Sequence, residues 1–480
     1  MFSINMTTKD MNPRDLREEK KVLAVTSLAE FAERYGYYII QSLLIFYLID
    51  KFQISQDLSA SLVGTTLSMV YISAILGGFV AEKYLGYYRA GLLGSLFMLG
   101  GFFILAYSTS QSMLYLGLSF VSVSTGLIKS NMSAFIGRFY DKSSLNDSKR
   151  DFGFNIFYMG INLGSFGALF IASWLKDNYG YGAPFYSSMV VSIFMLCLLL
   201  IGFRLLNKHI IEFKLTLSML IKVALLLTVY IVVLFYIFKQ PLIANFSIII
   251  ALTISVIILF LSIKKSSYQK VLVAGIFFLL SIVYWGLYFQ IFISVLLFTQ
   301  YSVDNALLNP SQFLSVESVS VLFFAGILGK FWVYLDNKQT KIGDIDKFNI
   351  AFILLIVTFL IILIAILISP QGAKVSAYGI IFAYIVLGIS ELSLSAIGLS
   401  MITKISPKGF VALYMGIWLV TLGVGGKLGG FIASFFYISD NNLGLAKANM
   451  CDGLDTFIAI AVLTSLATLL LRKFVNKYSS

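Results

Sequence analysis

A short list of charged residues stands inside otherwise apolar runs of this chain: Glu30, Glu33, Arg34, Lys129, Glu317, Glu391 and Lys427. Charges in such surroundings are costly and normally face a wet cavity or a partner. Glu30 and Glu33 are three positions apart and Arg34 is four from Glu30, so all three share one face of a helix. Carboxylates beside a guanidinium change their protonation according to whether the cation is engaged with them or elsewhere. That is the chemistry of a proton relay. The same spacing would also suit a permanently paired cluster that only orients its helix. Lys222 and Lys330 lie close enough to a membrane surface to snorkel.

The elements that must position these residues are membrane helices. Of 480 residues 59% are hydrophobic and only 12% charged, with a mean hydropathy of +0.90. A soluble domain carries about 25% charged residues. Crossing the hydrocarbon takes roughly 20 apolar residues, and about fourteen runs of that kind are predicted. Six lie at 23–49, 60–81, 88–108, 112–137, 152–175 and 184–206. A pair follows at 217–238 and 242–263, joined by the turn Lys239-Gln240-Pro241. Six more lie at 271–299, 315–335, 348–369, 376–403, 409–437 and 454–474. Runs this long are not the alternating strands of an outer-membrane barrel.

Most Lys and Arg fall in alternate loops, which places both termini and the stretch Arg204–Lys214 in the cytoplasm. Residues 1–22 are then a polar cytosolic tail rather than a signal peptide. The net charge of +12 is scattered over many loops, so it describes topology and not nucleic-acid binding. One histidine (His209) and two cysteines (Cys197, Cys451) assemble neither a zinc set nor a histidine-based nucleophile, which argues against an intramembrane enzyme.

Several local patterns then become specific. Glu30-Phe-Ala-Glu33-Arg34-Tyr35-Gly36-Tyr37-Tyr38 resembles the E-x-x-E-R-F-x-Y-Y signature of the proton-dependent oligopeptide transporter family. Gly78 to Gly86 is similar to the loop motif of the wider major facilitator superfamily. Gly126-Leu-Ile-Lys129-Ser130-Asn131 resembles G-L-F-K-P-N, with serine for proline. Phe157-Tyr158 through Ile161-Asn162 to Gly164-Ser165 is similar to F-Y-x-x-I-N-x-G-S. The segment from Glu391 to Ser400 resembles a late glutamate motif, and Met415-Gly416-Ile-Trp418 follows it. The matches keep their order across both halves.

The resemblance implies an all-α integral membrane protein of the major facilitator fold: two six-helix bundles, 23–206 and 271–474, an inserted hairpin within 207–270, and tails at 1–22 and 475–480. The substrate site of that fold lies between the halves. It also implies roles. Glu30, Glu33 and Arg34, with Lys129, would couple protons. Lys129 would also meet a substrate carboxylate, Asn162 the peptide backbone and Glu391 the amino terminus, with Arg34 among the substrate-binding residues. Tyr37, Tyr38, Tyr71, Trp285, Gln290, Glu317 and Trp418 complete the expected binding set. A cationic pole, an anionic pole and aromatic walls suit a zwitterionic guest.

Departures from the family pattern are informative. A second arginine expected on the first helix is replaced by Gln41, and its acidic partner by Phe289. Loss of both together strands no charge. Glu317 stands where the family more often has asparagine; it could replace the lost acid, select a more cationic guest, or simply be a hydrated residue near the outer mouth. The expected function is a proton-coupled symporter that imports di- and tripeptides across a bacterial inner membrane as a monomer, with protons as coupling ion and no cofactor. A carrier of another small zwitterion or anion, an exporter, a channel and an enzyme are the competing readings.

Overall fold

The computed structural model describes residues 13–143, 145, 147–206, 215–338, 342–407 and 409–478. His209 and most of the Arg204–Lys214 connection lie outside the described residues. Among those described, regular structure is helical apart from one isolated bridge between Val303 and Val375. With no water in the hydrocarbon to satisfy backbone amides, each spanning segment must close its own hydrogen bonds.

In chain order the helices are α1 (Pro13–Phe46), α2 (Gln56–Val80), α3 (Tyr87–Ala106), α4 (Gln111–Lys142), α5 (Asp147–Tyr179), α6 (Gly182–Leu205), α7 (Leu217–Lys239) and α8 (Pro241–Ser262). Then come α9 (Tyr268–Tyr288), α10 (Ser294–Ser302), α11 (Pro310–Asn337), α12 (Asp344–Leu367), α13 (Ala377–Ile405), α14 (Val411–Ala433) and α15 (Leu443–Tyr478). Thirteen of the described helical segments are long and apolar enough to cross a bilayer, with α9 and α10 counted as one. The charges of α1 keep it out of that count, yet its 34 residues reach about 51 Å. Adding α1 restores the fourteen expected spans.

The run expected as one helix over 271–299 is interrupted by a 3₁₀ turn at Phe289–Phe292. Gln290 sits at this break and supports it. Its Nε2 donates to the carbonyls of Gly286 (3.1 Å) and Gly429 (2.9 Å), and its Oε1 accepts from Ser294 (3.0 Å). Several helices run past the expected apolar limits, α15 most of all, because a helix continues beyond the hydrocarbon once its apolar stretch ends.

The chain divides into two compact units. The first holds Met1–Tyr38, Ser73–Ala168 and Gly182–Val233. Within it α3 packs on α4 and α6: Ser124 Oγ donates to the Gly94 carbonyl at 2.9 Å, and the buried Tyr88 hydroxyl to the Leu199 carbonyl at 2.9 Å.

The second unit holds Ile39–Ile72, Leu169–Tyr181 and Leu234–Ser480. There α9 packs on α14, α12 on α13 and α15, and α11 on α13. Segments of α2 and α5 join them. A Cβ on Gly64 of α2 would stand 2.7 Å from the Gly426 carbonyl and 2.8 Å from Cα of Gly430 on α14, so the two backbones touch and only glycine fits. Beside this contact Lys427 donates to Ser61 (3.1 Å) and Thr65 (2.9 Å). Ser173 and Ser311 exchange backbone-to-hydroxyl bonds of 3.0 and 3.2 Å between α5 and α11.

Candidate functional site

In the first unit the α1 spacing does what its periodicity requires. Glu30, Glu33 and Arg34 are all buried, at 1%, 0% and 3% exposure. Arg34 grips Glu33 with both forks of its guanidinium, Nε to Oε2 at 2.5 Å and Nη2 to Oε1 at 2.7 Å. This is the bidentate geometry that makes arginine–carboxylate pairs strong. Glu30 is the looser partner, with Oε1 3.8 Å from Nε of Arg34 and Oε2 without a hydrogen-bond partner among the described atoms. The guanidinium also lies 4.5 Å from the ring centre of Tyr37, which meets Tyr38 edge-on at 5.2 Å.

Helix α5 can approach this cluster because it carries Gly164: a Cβ there would collide with the Phe31 carbonyl and stand 3.1 Å from Cβ of Arg34. Asn162, one half-turn earlier, is buried and donates to its own helix at Tyr158 (2.9 Å). Lys129 of α4 lies within the electrostatic field of Glu30, Glu33 and Arg34. Its neighbours in the Gly126–Asn131 motif serve packing instead. Asn131 Nδ2 donates to the Gly77 carbonyl of α2 at 3.1 Å and to Leu127 at 2.9 Å. Asn131 thus pins α4 to α2.

The second unit gathers Trp285, Glu317 and Glu391 around a residue that sequence reasoning missed, Tyr288. Its hydroxyl donates to Glu391 Oε2 at 3.2 Å. Glu317 of α11 is buried at 5% exposure and faces both Glu391 and Tyr288. Tyr288 follows Trp285 by three positions and so shares its helix face, a signal that was available in the sequence. The Trp285 and Tyr288 rings meet edge-on at 5.1 Å.

Tyr71 packs beside Phe289, with the ring centres 6.4 Å apart. Phe289 is buried among Trp285 (5.6 Å), Tyr288 (5.7 Å) and Phe292 (6.4 Å). Aromatic rings thus surround Phe289 at the end of α9. Trp418 is buried against Phe348 at 6.4 Å, with its ring over Gly398. Gln290 turns inward to the helix break. Among the described residues no group of three His, Cys, Asp or Glu side chains is arranged to hold a metal ion.

Comparison with known proteins agrees with this architecture. The model of the POT family matches residues 88–449. Dipeptide and tripeptide permease A of Chromobacterium violaceum is 28% identical over 455 residues, which span 91% of this chain and 88% of the permease. Its namesake from Escherichia coli is 25% identical over 453 residues, 90% and 88% of the two chains. A crystal structure of peptide transporter POT in complex with sulfate has a TM-score of 0.82 at 22% identity and covers 95% of each chain, so the two share a fold. With far more than half of its length matched, the chain belongs to the POT family.

Proposed function

We propose that the protein is a proton-coupled importer of di- and tripeptides that works by alternating access. The observation that carries this reading is the family match over residues 88–449, which takes in Lys129, Asn162, Glu317 and Glu391. The similar permeases named above are dipeptide and tripeptide permeases, and the charges along this chain suit such cargo.

Protons are the coupling ion, and no cofactor is needed. With Glu33 ionised, its two oxygens hold Arg34. Protonation removes the charge and one acceptor, and frees the guanidinium for a peptide carboxylate. Glu30 accepts the cation's attention only at longer range, so it takes part as a second carboxyl in the same field. Lys129 meets the carboxylate end of the peptide and Asn162 its backbone. Glu391 holds the amino terminus, oriented by Tyr288. Tyr37, Tyr38, Tyr71, Trp285 and Trp418 supply apolar walls that tolerate different side chains. Gln290 supports the α9–α10 break. Alternation requires the α2–α14 contact around Gly64 and Gly430 to open. The basic loops place both termini in the bacterial cytoplasm, and the working unit is a monomer.

The test is competition for transport of a reporter dipeptide. Hydrogen bonds to charged groups contribute about 1.5–3 kcal/mol, so blocking the amino group of a dipeptide weakens binding roughly ten- to a hundredfold. Against Glu391→Gln the blocked peptide loses little more. Lys129→Gln responds in the same way to a carboxyl-amidated peptide and still discriminates against the amino-blocked one. Additive losses in the matched pairs would remove these roles. Indifference of the wild type to both blocked peptides would remove the peptide assignment.

A further inference from the structure

We infer that Glu317 and Glu391 form one acidic site that accepts a second positive charge, making peptides with a cationic side chain on their first residue a preferred class of cargo. The inference rests on the peptide reading above and adds to it the class of first residue.

The site is built by close helix packing. A Cβ on Gly388 of α13 would stand 3.0 Å from the Glu317 carbonyl of α11, and Ser320 Oγ donates to the Ile385 carbonyl at 2.7 Å. That approach sets the Glu317 carboxyl against Glu391, one turn along from Gly388. Tyr288 reaches in from α9 and donates to Glu391. Ser318 Oγ lies 3.5 Å from Glu317 Oε2.

Among the described residues the surroundings are acidic or neutral. The titratable groups that act on the pair are the phenols of Tyr284 and Tyr288 on α9 and Tyr384 on α13. No described ion pair includes Glu317 or Glu391. Two buried atoms here also lack hydrogen-bond partners: Oε1 of Glu317, an acceptor, and Nε1 of Trp285, a donor. Both are capacities that a guest would fill.

Two carboxyls that face each other with no described cation beside them repel when both are ionised, and either a shared proton or a counter-charge relieves that repulsion. A peptide with a single ammonium, such as dialanine, neutralises one carboxylate and leaves that proton in place. A peptide that begins with lysine brings two ammonium groups and displaces the proton. Its binding thus releases a proton at this site where that of dialanine does not, and its advantage widens as pH rises.

The test is competition against labelled dialanine exchange in proteoliposomes, using Lys-Ala, Nε-acetyl-Lys-Ala and unlabelled Ala-Ala over a pH series. In the wild type Lys-Ala is expected to compete about tenfold or more better than its acetylated form, with a ratio that grows with pH. Glu317→Gln should erase the ratio between the two lysine peptides, and its pH dependence, as read within that variant. Glu317→Asp, which keeps the charge on a shorter arm, should retain part of the ratio and guards against a misfolded Gln variant. Equal competition by the two lysine peptides in the wild type, or an undiminished ratio in Glu317→Gln, overturns the inference and leaves the peptide reading intact. Failure of every peptide, Ala-Ala included, overturns both.

Discussion

In the first unit two carboxylates and an arginine are buried together, and the arginine neutralises Glu33 through two short bonds on the same helix. In the second unit two carboxyls from different helices meet with tyrosines around them and no described cation. Both arrangements put negative charge where lipid would forbid it, yet they solve the charge problem differently. The first supplies its counter-charge within the protein. The second has no counter-charge among the described residues. Under the proposed function the first would answer to protons and the second to cargo.

The largest expected effect comes from breaking the internally compensated cluster. Arg34→Gln leaves buried carboxylates without their cation. Removing one partner of such a pair costs about 3–5 kcal/mol, so thermal unfolding in detergent should occur well below wild type and uptake should vanish. Wild-type stability in this variant would mean that Glu30 and Glu33 are already neutral.

Next comes Glu33→Gln, which keeps the shape of the pair and removes the proton site. Gradient-driven uptake should be abolished while counterflow exchange of peptide persists. Normal uphill transport in this variant would move the coupling role to the second unit, with Glu317 first in line.

A smaller effect is expected at the glycine contact of the second unit. Gly430→Leu forces α14 away from α2. Overpacking of this kind costs about 1–3 kcal/mol, a roughly five- to hundredfold shift toward the parted state. A cysteine placed at Ser61 should then react faster with a soluble thiol reagent than it does without the leucine. An unchanged rate would show that this contact is not one that opens.

The smallest effect is expected at the hairpin. Ser262 of α8 shares a 2.8 Å hydroxyl bond with Tyr414, and Ser262→Ala should cost about 1 kcal/mol and leave uptake unchanged. Lost transport here would bring α7 and α8 into the working parts of the protein.

Much of this was legible in the sequence because membrane helices leave strong local traces. Spans show as long apolar runs, and the Glu30, Glu33 and Arg34 cluster follows from spacing on one helix. Less legible were features made by contact between distant segments. Glu317 and Glu391 are 74 positions apart by their numbers, and nothing periodic marks their meeting. Lys427 was visible as a charge in a span, but its hydroxyl partners Ser61 and Thr65 are ordinary small polar residues of another helix. The break at Phe289–Phe292 was hidden because 271–299 is apolar almost throughout, with Gln290 donating to the Gly286 carbonyl before the break and to the Gly429 carbonyl of α14. Asn131 read as part of a functional motif, whereas its amide serves packing. Short polar side chains that tie helices together carry no signature of the partner they choose.

The measurement that tests the account most directly is uptake of labelled dialanine into proteoliposomes holding the purified protein, with an inward proton gradient, without one, and with an uncoupler added. Accumulation above the outside concentration is expected only with the gradient, and it should collapse to simple equilibration when the uncoupler is present. Accumulation that ignores the gradient, or the absence of any dialanine entry, would contradict the proposed function.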